Sequence, residues 1–505
     1  MRGKVISATR EVGIKVRERK TTRLLDTGFN NLFLIHNLNF SNSLRGIVER
    51  VLFRKDGDKF VPPPEPARGA WKHPSLSKFR KLVCARVGPT PRVDYEGFLG
   101  YYTGRKLARY KQAVESLKIL EVERQDAIID LFVKAEKINF TTKKDPPPRV
   151  IQPRNPRYNV EVGRFIKPVE HRIYGAIDSI FGARVVAKGK NAIERAAMLR
   201  EAWEKFNDPV AVFLDVSRFD QCVNQKALEY EHGFYLWIAQ NHPLLQTLLA
   251  WQVDNVGYCR CEDGKIKYKV KGCRMSGDMN TALGNVILMC ALMYAYLQEF
   301  VPDAALVDDG DDCVVILERG QYHKLIDTCG PWFLDRGFVM KYEGMTDIFE
   351  KIEFCQTQPI FDGEKWVMCR DPRVCIDKDL VSVTPRLDEK SWRKHCSAVA
   401  LCGLALAGNL PVYCAFYSML DQGEKVERAL ETGMDYLALG MEGSRRPVHE
   451  EARMSFYRAF DIIPDDQTAL ETFYDGMPVH FSGCPRDYNE EISKISPHLE
   501  LLLSN

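Results

Sequence analysis

Two groups of carboxylates are the strongest candidates for chemistry among these 505 residues. One is Asp215-Val-Ser-Arg-Phe-Asp220, at the end of a short apolar run. The other is Asp308-Asp309-Gly310-Asp311-Asp312, set between two apolar runs. Like charges at close range raise each other's pKa, so such a cluster calls for a cation at neutral pH. Hard oxygen donors suit Mg²⁺, with Mn²⁺ as a substitute, and these ions bind through a few carboxylates plus substrate phosphates. Two such ions about 3.5–4 Å apart activate an attacking oxygen and stabilise a leaving one in an in-line phosphoryl transfer. Acidic turns containing Asp-Gly are also ordinary loop chemistry, so the second cluster alone decides nothing.

Between the two lies Ser276-Gly-Asp-Met-Asn-Thr281-Ala-Leu-Gly-Asn285, a loop that runs into an apolar helix. Thr281 and Asn285 are four apart and therefore share one face of that helix near its start. Small polar groups there are suited to a sugar hydroxyl, and the 2′-OH is what separates RNA from DNA substrates. An N-cap followed by a polar first turn explains Ser276 or Thr281 singly, but not the whole spacing.

The elements that must position these residues follow from periodicity. Residues 210–216 read as a buried strand, and 305–317 as a hairpin with the acids at its tip. Thr281–Phe300 reads as a long apolar helix. From 265 to 271 lysines fall on odd positions with Ile266, Tyr268 and Val270 between them, a strand with one cationic face. Helices are expected over 112–137, 192–206 and 225–253, the last interrupted at Pro243, and a helix-strand pair over 322–342. The final 150 residues carry mostly helical pattern. Proline runs at 62–66 and 146–148 mark rigid breaks.

Composition narrows the class. Charged residues are 28% of the chain and hydrophobic ones 45%, which excludes a disordered or collagen-like protein. No uninterrupted apolar stretch reaches the roughly 18 residues of a membrane span, and no signal peptide is visible. Fifteen scattered cysteines with no CxxC pair read as reduced, mostly buried thiols. The net charge of +3 hides an asymmetry: residues 1–172 carry +18 and the remainder −15. A basic first third is a prior for nucleic-acid contact, although a solvated basic surface would look the same.

The order Asp215/Asp220, then Ser276/Thr281/Asn285, then Gly310-Asp311-Asp312 resembles motifs A, B and C of RNA-dependent RNA polymerases. Ser217-Arg-Phe-Asp220-Gln, Glu231-His232, Ser276-Gly with Asn280-Thr281, and Gly310-Asp-Asp-Cys-Val-Val are similar to replicases of the tombusvirus family, carmoviruses especially, over about residues 95–360. The resemblance implies an α+β right-hand polymerase whose antiparallel palm sheet bears the Gly-Asp-Asp hairpin. Fingers would span 1–209 and 225–270, palm 210–224 and 271–357, and thumb 358–505. It implies metal ligation by Asp215 and Asp311 with Asp312 assisting, and a ribose site of Asp220, Ser276, Thr281 and Asn285. Lys143, Lys144, Arg149 and Arg154 resemble the triphosphate-binding motif F, and Lys341 the motif-D proton donor to pyrophosphate. Phe354-Cys355-Gln356 resembles the primer-gripping motif E. Arg105, Lys106, Lys188 and Lys190 are the side chains expected to contact RNA.

The expected partners are an RNA template and NTPs, not DNA. The resemblance adds an upstream viral replication protein and a host membrane-bound replication complex in the cytoplasm. In that family the polymerase arises by readthrough of a stop codon, so membrane attachment would reside upstream of this chain. Two departures from the pattern stand out: Cys222 occupies a position where relatives often carry His, and Asp308-Asp309 one where they often carry neutral amides. The extra charge at 308–309 would either raise metal affinity or be solvated. Gly100-Tyr-Tyr-Thr-Gly104-Arg105-Lys106 has the wrong spacing for a phosphate-binding P-loop. A reverse transcriptase shares the paired acids but fits Asn285 and Gly310 poorly, and an RNA-binding or capsid-type protein would not need three ordered motifs.

Overall fold

The apolar runs flanking the acids do become strands. The computed structural model describes residues 2–25, 31–57, 59–384, 386, 388–426 and 437–481. Residues 482–505 of the expected thumb, with Cys484, lie outside the described residues. In chain order the strands that bear on function are β1 (Gly3–Arg10), β2 (Ile129–Val133), β3 (Val150–Ile151), β4 (Pro209–Val216), β5 (Asp254–Cys261), β6 (Gly264–Lys271), β7 (Ala305–Asp308), β8 (Asp312–Glu318) and β9 (Met340–Thr346). The helices are α1 (Phe40–Ile47), α2 (Gly104–Ile119), α3 (Ala192–Trp203), α4 (Gln225–Ile238), α5 (Thr281–Phe300) and α6 (Tyr322–Leu334). The chain is α+β.

Four strands form an antiparallel sheet in the order β7-β8-β4-β9, with β4 inside it. Alternate residues of β4 point to opposite faces. Val210, Val212, Leu214 and Val216 pack in one core with α5, while Ala211, Val314 and Ile316 join α3 and the C-terminal helices in a second. Helix α5 is buried on all sides from Leu283 to Leu297. By length and composition it could cross a membrane, yet 83% of its apolar window is buried within the protein, which marks it as the central core helix.

A second sheet of five strands has the order β1-β6-β5-β2-β3. Strand β2 corrects an expectation, because the helix predicted over 112–137 ends at Ile119. From Ile129 the burial alternates strictly, and the segment pairs in parallel with β5. Its β-branched and aromatic residues fit a pleated, half-buried surface better than a helix. The C-terminal region is largely helical, as expected, but also holds a small hairpin, Gln358–Phe361 with Trp366–Cys369. The cysteines among the described residues are free thiols.

Candidate active site

Strand register sets the first feature of the site. Asp215 on β4 is paired with Asp312 on β8 and, on its other side, with Lys341 on β9. Directly opposed residues in an antiparallel ladder share a face, so the three side chains stand abreast. Lys341 Nζ lies 3.6 Å from Asp215 Oδ2. Burial raises the Asp215 carboxyl above its ordinary value and Lys341 partly offsets this. Asp312 is pushed up to about 6, by burial first and then by Asp311 and Asp215. Asp311 is exposed at the turn itself. Among the described residues no group of three or more His, Cys, Asp or Glu side chains is placed to hold a metal ion by itself. Mg²⁺ takes few protein ligands, so Asp215, Asp311 and Asp312 are the residues that could hold it, and a cation there would offset the burial and the like charges that raise Asp312.

The turn is built for this placement. Gly310 has φ +102°, a conformation side chains rarely adopt. Its N–H donates to Asp308 Oδ2 at 3.1 Å, and Asp309 N–H donates to the Asp312 carbonyl at 2.9 Å. The two extra acids are neither solvated nor aimed at a metal. Asp308 is fully buried, and that burial pushes its carboxyl well above the ordinary range. Asp309 forms 3.0 Å ion pairs with Lys188 and with Arg195, whose side chain is 2% exposed. Burial opposes ionisation of Asp309, but the two cations outweigh it and hold the carboxyl below its usual value. Arg195 also donates to the Lys190 carbonyl at 3.0 Å and to Cys355 Sγ at 3.4 Å. Cys355 and Gln356 both have positive φ, forming a tight turn between Phe354 and Thr357 that packs beneath the acidic hairpin.

Beside the acids lies a polar relay. Asn285 Nδ2 donates to Asp220 Oδ1 at 3.0 Å, and Ser276 Oγ donates to Asp220 Oδ2 at 3.0 Å. Arg274 Nε donates to Asn285 Oδ1 at 3.0 Å, while its other end is paired with Glu231 in the core. Both partners of that pair are fully buried, which explains the acid at the start of Glu231-His232. Burial raises the Asp220 carboxyl, offset by Asn285 and Arg274. Thr281 does not join the relay: its hydroxyl donates to the carbonyls of Met275 at 2.9 Å and Asp278 at 3.0 Å, bracing the loop.

A cavity of about 160 Å³ opens between this relay and residues 149–152, lined by Asp220, Ser276 and Asp311 together with Arg50, Arg149 and Arg218. Arg50 is lowered to about 10, by burial and then by repulsion from Arg218 and Arg149. Each of the three guanidiniums has a protein partner, Arg149 the Glu136 carboxylate at 3.1 Å and Arg50 and Arg218 backbone carbonyls, and together they put positive charge on the wall of the cavity beside the carboxylates. Arg50 and Arg218 were not among the residues singled out from sequence. Arg218 sits within the Asp215–Asp220 motif, but nothing local distinguishes Arg50, which arrives from 168 residues upstream of it.

Several expected ligands are elsewhere. Arg154 is a correction: its side chain is fully buried, pairing with Asp278 and donating to Asn255 Oδ1 at 2.7 Å, so it anchors the loop before α5. Lys143 and Lys144 are exposed on a bend and do not line the cavity. Lys188 supports the Gly310 turn through Asp309, and Lys190 pairs with Glu194 at 3.6 Å. Arg105 and Lys106 begin α2, where Lys106 Nζ sits 5.0 Å from the Tyr102 ring centroid. Cys222 is buried and contacts the Ser217 carbonyl at 3.4 Å through its Sγ.

With this geometry in place, residues 6–482 match the family of viral RNA-dependent RNA polymerases. The chain belongs to that family. It is 43% identical over 465 residues to the RNA-directed RNA polymerase of Tobacco necrosis virus (strain A), covering 91% of this chain and 64% of that protein. It is 42% identical over 476 residues to that of Turnip crinkle virus, covering 91% and 60%. The polymerase of Melon necrotic spot virus is 41% identical over 490 residues, covering 95% and 62%. The chain therefore spans between 60% and 64% of the length of these three relatives. Membership in the polymerase family extends well beyond the 95–360 span on which the motifs were read.

Proposed function

We propose that this chain carries the RNA-directed RNA polymerase activity of a plus-strand RNA virus, adding nucleoside monophosphates from NTPs to an RNA 3′ end. The observation that carries the reading is the register that sets Asp215 beside Asp312 and Lys341, with the Asp220–Asn285 pair one short helix away. The four-stranded sheet corresponds to the palm, with 1–209 and 225–270 as fingers and 358–505 as thumb.

Asp215, Asp311 and Asp312 would hold Mg²⁺ or Mn²⁺, which when bound neutralises charge on the attacking oxygen and on the leaving phosphates. Arg50, Arg149 and Arg218 orient the triphosphate in the cavity, leaving its α-phosphorus toward the acids. Asp220 and Asn285 bind the ribose hydroxyls. The 3′ hydroxyl gives its proton to solvent water as its oxygen bonds to the α-phosphorus, the α–β bridging bond breaks, and pyrophosphate departs. Lys341, whose side chain is half exposed and only loosely held by Asp215, supplies a proton to that leaving group. An RNA template, an upstream viral replication protein and a host cytoplasmic membrane complex are the proposed partners.

The test is incorporation of labelled UMP by the purified chain on an oligoadenylate template. Mg²⁺-dependent product from UTP, absent with dUTP or a DNA template, is expected. Efficient dUTP incorporation on DNA would overturn the reading.

A further inference from the structure

Strand β6 turns Ile266, Tyr268 and Val270 toward a core with Ile47, Val51 and Leu52, and Tyr268 Oη donates at 2.6 Å to Gln152, a residue of the active-site cavity. The alternate residues, Lys265, Lys267, Lys269 and Lys271, therefore face away from that cavity, and all but the half-buried Lys267 are exposed.

Their neighbours make the arrangement unfavourable in isolation. Lys269 is paired with Lys4 on β1 and with Val256 on β5, and Lys265 with Thr9 and Arg260. Like charges directly opposed across a ladder destabilise it. Asp254 opposes Lys271 only at the end of the sheet, and Asp130 is engaged by Arg260 at 3.2 Å. Among the described residues no carboxylate lies within 4.0 Å of any of the four lysines. Aromatic rings share the face. Tyr258, paired with Lys267, is flanked by Lys267 Nζ at 5.3 Å and Arg260 Cζ at 5.6 Å from its ring centroid. On the adjoining strand Phe132 is 40% exposed.

We propose that this outer face of the five-stranded sheet is a second RNA-binding surface, separate from the catalytic cleft, that holds single-stranded RNA. Lysines repeating about 7 Å apart along a strand neutralise a phosphodiester backbone, and rings on the neighbouring strands stack its bases. A sheet displaying aromatics among cations is a recurrent solution for single strands, because every base has a π-face. The proposal takes from the preceding section only that RNA is the polyanion this protein handles.

The test compares the full chain with a variant carrying Lys265→Glu, Lys267→Glu and Lys269→Glu, and with Phe132→Ala. Lys269→Glu sets a carboxylate opposite Lys4 in the ladder, which favours the strand pairing, and thermal melting checks that the fold is kept. Affinity for a labelled oligouridylate is measured across a salt series, and extension of a preannealed primer–template at saturating RNA is measured in parallel. The lysine variant should bind at least about tenfold more weakly at low salt, and its log–log salt slope should be shallower by about 0.7 for each phosphate that is no longer neutralised. Phe132→Ala should weaken binding about tenfold with an unchanged slope. Extension at saturating RNA should persist in both. Unchanged affinity and slope in the lysine variant would overturn the proposal. So would unchanged RNA binding accompanied by lost binding to phosphatidylserine vesicles, which would make the face a membrane contact. Should the wild type fail to extend primers while its RNA affinity still depends on these lysines, the active-site reading falls and this surface stands.

Discussion

Asn285 bridges Arg274 and Asp220, accepting from the first at 3.0 Å and donating to the second at 3.0 Å. Because Arg274 has only donors, the amide oxygen must face it and the amide nitrogen must face Asp220. The buried Glu231 holds Arg274 in place, so the relay fixes Asp220 from the core outward. A site built to hydrogen-bond a hydroxyl rejects a substrate lacking it by roughly 10⁴–10⁵-fold. Asn285→Ala should therefore narrow the preference for UTP over dUTP by about 10–100-fold, mainly through lost UTP efficiency. Measured kcat/KM values for both nucleotides on one template check this. An unchanged ratio with both efficiencies reduced would make Asn285 a structural residue.

Arg195 and Asp309 support the acidic turn from below. Asp309→Asn keeps the shape but leaves a buried guanidinium short of its anion, which destabilises by about 3–5 kcal/mol. We expect a lowered Tm and a lowered kcat with NTP KM little changed, since the altered turn carries Asp311 and not the triphosphate wall. Adding Arg195→Met should restore much of the Tm. A single variant as stable and active as wild type would contradict this role.

The raised pKa of Asp312 has a definite sign. Its folded value of about 6 exceeds the ordinary carboxyl value, so ionisation opposes folding above about pH 6 and has no effect below about pH 4. In metal-free protein, Asp312→Asn should be more stable than wild type near pH 8, by on the order of 1–3 kcal/mol, and equal to it near pH 4. Added Mg²⁺ should stabilise wild type more than the variant. Denaturation at the two pH values, with and without Mg²⁺, measures both effects.

The arginine wall predicts a binding defect. Arg50→Met and Arg218→Met should each raise the KM for NTP by about tenfold or more while leaving affinity for template RNA nearly intact. Steady-state titration of UTP beside RNA-binding isotherms separates the two. Unchanged KM in both variants would remove these residues from the triphosphate site.

The parts of the site that were legible in sequence are those written within single elements. Asp215 lies at the end of a continuous apolar strand, Gly310 separates two continuous apolar runs, and Thr281 opens an apolar helix whose bounds agree with periodicity. Pairings across more than a hundred positions were not legible. Arg195 with Asp309, and Arg50 with Arg218, are brought together by topology, and local patterning carries no trace of either. Arg154 misled for a related reason: an arginine in an extended cationic stretch looks like a phosphate ligand until its buried partner Asp278, 124 residues away, is known. The helix expected over 112–137 failed because charged faces persist past Ile119 while the apolar period changes to that of a strand.

The most direct measurement of the central claim is single-turnover nucleotide addition by Asp311→Ala and Asp215→Ala on a preannealed RNA primer–template, with RNA affinity determined on the same preparations. If these carboxylates hold the ions that stabilise the transferring phosphoryl group, each substitution should lower the rate by at least about a thousandfold while RNA affinity changes little. Near-normal addition by either folded variant in the presence of Mg²⁺ would contradict the assignment.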